Sequence, residues 1–133
     1  MNISQIGQHA VVRSWWALKL AYGLLFVVAG ADKFFNLITF WPKYIAPYFL
    51  SLLPLSVEQL SMAVGVGEII LGLLILVFAT RIGGYIAAAW LLFIAVNLIM
   101  IGGYLDIAVR DIIMAIGALV LAWLDEAMPS LRK

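Results

Sequence analysis

The sequence predicts an all-α integral membrane protein, one domain over residues 1–133 built as a four-helix bundle, and three observations predict it. Of its 133 residues 66% are hydrophobic and 11% charged, where soluble domains run near about 45–50% and about 25%. The mean hydropathy is +1.14, more apolar surface than a soluble fold of this size can bury, so the bilayer must act as solvent. The apolar residues also gather into four runs near the roughly 20 residues that one crossing needs, with short breaks between them.

Taken in order, residues 1–14 are polar to mixed and hold His9 and Arg13, while Ile3 and Ile6 can rest on the membrane surface. The first helix is expected over 15–35, with Trp15 and Trp16 as interfacial anchors and Lys19 snorkelling beside them. Ala29, Gly30 and Ala31 resemble a signal-cleavage triplet after an apolar core, but the segment is read as a retained helix. Residues 36–56 differ in kind. Pro42, Pro47 and Pro54 sit among Phe40, Trp41, Tyr44, Tyr48 and Phe49, and prolines at this density break a spanning helix. One or two short helices in the headgroup region are expected there. Trp41, Tyr44 and Tyr48 fall at i, i+3 and i+7, a stripe that reads either as an interface anchor or as the roof of a pocket.

The second helix is expected over 57–79 and the third over 82–103, with Thr80, Arg81, Gly83 and Gly84 marking a tight turn between them. The fourth is expected over 106–124, and 125–133 form a polar tail. Basic residues set orientation. Arg13, Lys19, Arg81, Arg132 and Lys133 fall on one side, against Lys33, Lys43 and Arg110 on the other. The larger set belongs inside, which places both termini in the cytoplasm, N-in and C-in, in a bacterial inner membrane.

Composition removes several function classes. A formal net charge of +1 leaves no basic patch to neutralise phosphates, so nucleic acid is not an expected partner; the bilayer and other membrane subunits are. With no cysteine there is no disulfide, no C-x-x-C centre and no thiolate metal site. His9 is the single histidine, which excludes bis-histidine haem within the chain. No metal site is expected, nor any cofactor held covalently or by His or Cys; a quinone or a lipid is the candidate ligand, held without those side chains.

The intramembrane polar residues are the informative ones. At about 1.5 Å per helical residue, Glu68 lies roughly 12 Å inward from Leu60, and Asp32, Lys33, Asn97, Arg110 and Asp111 all fall in the same outer half. Glu68 shares a stripe with Ser61, Gly65 and Gly72, and Asp111 with Ala115, Ala118 and Ala122. Small residues mark where membrane helices approach closely, so both carboxyls are expected to face the bundle interior. Charge at that depth normally has a partner or a water-filled cavity. The six residues therefore read as an ion-pair network that sets helix register, as a pocket opening outward, or as part of an ion path. The dry inner half speaks against the path.

These same residues carry a resemblance. Gly30, Ala31, Asp32, Lys33 and Phe34 form a Gly-x-x-Lys-Phe element at the end of the first helix, followed by the aromatic, Pro-containing segment. Glu68 with Gly72, then Thr80 with Arg81, then a charged start to the fourth helix complete the order. Over about residues 15–124 the chain resembles the DoxX-like superfamily of four-helix membrane proteins. The resemblance implies kinship with small subunits of thiosulfate:quinone oxidoreductase, maturation factors for periplasmic dehydrogenases, and other components of membrane oxidoreductase complexes. Thiol chemistry found in some members needs cysteines and does not carry over. No catalytic residue is assigned. The expected function is an accessory or assembly subunit of a larger respiratory or photosynthetic membrane complex, without redox centres of its own. The alternatives are a quinone- or lipid-binding module of an oxidoreductase and a small oligomeric transporter.

Overall fold

The structure is a computed structural model that describes residues 2–131, so Arg132 and Lys133, counted above for orientation, lie outside the described residues. It contains α1 (Ile3–Asp32), a 3₁₀ turn (Trp41–Tyr44), α2 (Pro47–Leu52), α3 (Val57–Leu73) with a π-helical turn (Leu74–Phe78), α4 (Thr80–Ile101) and α5 (Leu105–Leu131). Four of the helices, α3 with its π turn counted as one, are long and apolar enough to cross a membrane. No strand occurs among the described residues.

Three boundaries differ from expectation, each for a local reason. The first helix begins at Ile3 and not at residue 15. The Asn2 side chain accepts from Gln5 N at 2.9 Å and the Gln5 side chain accepts from Asn2 N at 3.1 Å, a capping box that starts a helix in polar sequence. The expected turn around Gly83 and Gly84 is helix. Thr80 Oγ1 donates to Ile75 O at 2.8 Å and Ala79 N to Leu74 O at 2.7 Å, so the reversal finishes before Thr80. The expected polar tail continues α5 as far as Leu131, through Pro129, because Met128 is buried and Leu131 packs against the core. The two short helices of the 36–56 segment each begin with a proline at their first turn, where a missing N–H costs nothing.

Packing divides the bundle into two tight pairs. α1 lies on α3 through glycines: a Cβ on Gly30 would stand 2.6 Å from Gly65 O, and one on Gly72 would stand 2.7 Å from Gly23 O. Gly30, the centre of the signal-like triplet, is thus a packing contact. α4 lies on α5, where a Cβ on Gly84 would stand 3.1 Å from Ala118 O and Ala115, Ala118 and Ala122 are buried. α1 meets α5 as well, with Tyr22 OH donating to Met114 O at 2.5 Å. α3 and α4 follow one another in sequence yet touch only sparsely. At the end where α1 begins and α5 finishes, Trp15 Nε1 donates to Asp125 Oδ1 at 2.8 Å, Tyr85 OH to Glu126 Oε1 at 2.6 Å, and Arg81 Nε lies 3.1 Å from Glu126 Oε1. The candidate site occupies the other end.

Candidate functional site

The site is built around Lys33 and Glu68. Lys33 caps the C-terminus of α1, and its Nζ donates to Glu68 Oε2 of α3 at 2.6 Å, with the two side chains 8% and 5% exposed. Ions this deep in apolar surroundings persist only when paired and further hydrogen-bonded. Both conditions are met. Trp90 of α4 donates Nε1–H to Glu68 Oε1 at 3.1 Å, and the Trp41 ring covers the Lys33 ammonium at 3.8 Å, a cation–π contact. Three elements and the connecting segment therefore converge on one ion pair.

Asp32 is not part of that pair, contrary to a network in which every charge has an opposite. Its oxygens accept from Leu37 N and Ile38 N, each at 2.9 Å, and from Trp41 Nε1 at 2.8 Å. It therefore folds the chain back at the end of α1 and seats Trp41 over Lys33. Asn36 makes the reversal at φ 52°, a left-handed conformation that Asn tolerates, and its Oδ1 accepts from Trp41 N at 3.1 Å. Asn97 also bonds to backbone and not to a charge. Its Oδ1 accepts from Ala46 N at 2.8 Å and its Nδ2 donates to Tyr44 O at 2.5 Å, pinning the connecting segment across the bundle to α4.

These elements line a cavity of about 600 Å³. Phe26, Val64, Trp90, Phe93, Ile94 and Leu98 supply apolar wall, and Phe49 of α2 closes it beside Trp41 and Tyr44. Phe93 stacks on Trp90 at 5.4 Å with a 22° interplanar angle, making a flat aromatic face. Ser61, in the wall, is 2% exposed, and its Oγ has no hydrogen-bond partner among the described residues. A buried hydroxyl left so costs about 1–3 kcal/mol. Asp111 of α5 borders the same cavity, near enough to Glu68 for the two carboxyls to interact.

Two expected members sit apart. Arg110 borders the rim but extends outward; its Nη2 is 4.0 Å from Asp106 Oδ2 with the side chains 74% and 70% exposed. Tyr48 is 56% exposed and rests on Phe49, while Trp41 and Tyr44 line the cavity. Reading the sequence for charge overlooked Trp90, and it took Phe49 only as part of the aromatic segment and Ser61 only as a small residue. Trp90 carried a signal: it lies halfway along a spanning helix, far from the interfacial belt where Trp usually serves as an anchor. Among the described residues no group of three or more His, Cys, Asp or Glu is placed to hold a metal ion.

Residues 14–101 match the DoxX family. The chain belongs to the DoxX family. The matched stretch takes in Asp32, Lys33, Ser61, Glu68, Trp90 and Asn97 and stops at the end of α4. α5, with Arg110 and Asp111, lies beyond it, although Asp111 faces the cavity that the DoxX portion builds. No curated protein and no solved structure matches the chain.

Proposed function

We propose that this DoxX protein is a membrane-embedded binding module for an uncharged, quinone-type amphiphile, serving as an accessory subunit of an oxidoreductase complex whose partners carry the redox centres. The observation that carries the reading is the cavity itself. Its volume of about 600 Å³ lies in the range of roughly 300–1,000 Å³ common to small-molecule sites, mostly apolar with a few polar groups. A planar head can lie against Trp90 and Phe93. Its carbonyl oxygens can accept from the unpartnered Ser61 hydroxyl and from ammonium hydrogens of Lys33 that Glu68 does not take, since an ammonium carries three donors.

Charge balance favours this head over an anionic lipid. Lys33 already faces Glu68, Asp111 adds a second carboxyl, and Arg110 is turned outward. The buried cation in the cavity wall, Lys33, is thus already neutralised by Glu68. The transporter reading gains no comparable support, because the polar contacts at the far end join helices to one another. In this reading the cavity end faces outward from a bacterial inner membrane and the termini lie in the cytoplasm.

Titrating the detergent-solubilised protein with a short-chain benzoquinone, and following tryptophan fluorescence, tests the proposal. We expect saturable quenching whose amplitude drops in Trp90→Phe. In Ser61→Ala the affinity should fall by about five- to tenfold, the value of one hydrogen bond, while thermal stability holds or rises. Non-saturating quenching that is identical in all three proteins would contradict it.

A further inference from the structure

The central cavity is not the only hollow at this height. A second one, of about 390 Å³, lies on the outside of the α3–α4 pair and is lined by Ala63, Val64, Gly67, Glu68, Leu71, Ile86 and Trp90. Val64, Glu68 and Trp90 line both hollows. The groove exists because α3 and α4 touch so sparsely, and because the α3 wall here is small: Ala63 and Gly67 are one turn apart, and a Cβ on Gly67 would meet nothing within 4 Å. Its lining is apolar apart from Glu68 and the indole N–H of Trp90, which are bonded to each other. Ala63 and Gly67 are exposed, so in a bilayer the groove opens sideways onto hydrocarbon.

We infer that the groove between α3 and α4 holds the polyisoprenoid tail of the amphiphile whose head occupies the central cavity, and that Trp90 is where head site and tail site meet. The inference rests on the proposed head site and adds the ligand's tail and its route. A head of quinone size and a long tail do not both fit in about 600 Å³, so the tail must leave. α1 and α3 are sealed by glycine-to-backbone contacts, and α4 and α5 by alanines. The α3–α4 groove lies against the cavity across Val64, Glu68 and Trp90, which line both, and over this lip the tail would pass. A tail in this groove has protein on one side and lipid on the other, so it need not give up its hydrocarbon surroundings.

The test compares two probes, a benzoquinone without a tail and the same head with a tail of several isoprene units, on wild type, Gly67→Phe and Ala63→Phe in lipid nanodiscs. At Gly67 the Cβ itself has room, since nothing lies within 4 Å of that position, and the ring beyond it occupies the groove. We expect the long-tailed probe to bind about tenfold or more weakly to both variants, the steric cost of a misplaced ring, with the tailless probe unchanged. Equal binding of the long-tailed probe to all three proteins overturns the tail groove while leaving the head site standing. So does parallel loss of both probes in the variants, which would show that the groove is not specific to the tail. Failure of either probe to bind wild type overturns the head site, and the inference with it.

Discussion

Lys33 and Glu68 form an ion pair whose worth depends on the partner being present. Removing one member strands a charge in the bundle, a loss of about 3–5 kcal/mol, whereas replacing both by apolar residues of similar size is often neutral or better. Lys33→Met alone should therefore lower the thermal midpoint sharply, Glu68→Leu alone likewise, and the double variant should recover most of the loss. Equal additive losses in a double-mutant cycle would show that the two side chains do not depend on each other. Asn97 calls for a different readout. Asn97→Leu leaves the buried Ala46 N–H without its acceptor, at about 1–3 kcal/mol, and should speed amide exchange in residues 41–46 with little effect on α5. The positions of Glu68 and Asp111 near the interior were legible from their small-residue stripes. The partners were not. Whether Asp32 meets a cation or its own loop is decided by the left-handed turn at Asn36, and Arg110 extends outward, 4.0 Å from Asp106 one turn earlier on the same helix.

Among the elements, the opposite behaviour of neighbouring glycines gives the clearest test. Gly65 meets Gly30 O and the Lys33 side chain, while Gly67, two residues on, meets nothing. Gly65→Ala should destabilise by about 1–3 kcal/mol through overpacking. Gly67→Ala should stabilise slightly, by up to about 1 kcal/mol from helix propensity. Chemical or thermal unfolding in one detergent compares them directly, and a shared sign would refute the assigned faces. The four long helices were legible because a run of some twenty apolar residues admits few other readings. Their ends were not, because hydropathy ignores capping. Asn2 with Gln5 starts α1 in sequence that looks like a surface tail. Leu124, Met128 and Leu131, at i, i+4 and i+7, continue the apolar face of α5 past Asp125 and Glu126. The connecting segment was readable as short helices from its prolines, but its closure over the cavity depends on Asn97, fifty residues away in sequence.

The whole molecule combines two closely packed helix pairs, α1 with α3 and α4 with α5, and the cavity lies between the pairs. Orientation in the membrane is open to a clean experiment, since the chain has no cysteine. Single cysteines at Gln8 and Leu37, both exposed, should be labelled from opposite sides of intact cells. An impermeant maleimide is expected to reach Leu37→Cys and not Gln8→Cys, and the reverse pattern would invert the topology. Photocrosslinking tests most directly whether the cavity beneath Trp41 binds a quinone-type head. An azidoquinone activated on the protein in nanodiscs, with adducts mapped by mass spectrometry, should label Val64, Trp90, Ile94 and Leu98, and unlabelled quinone should compete the label away. Adducts confined to the lipid-facing residues Ile70, Val77 and Ile113, or labelling that excess quinone does not reduce, would contradict it.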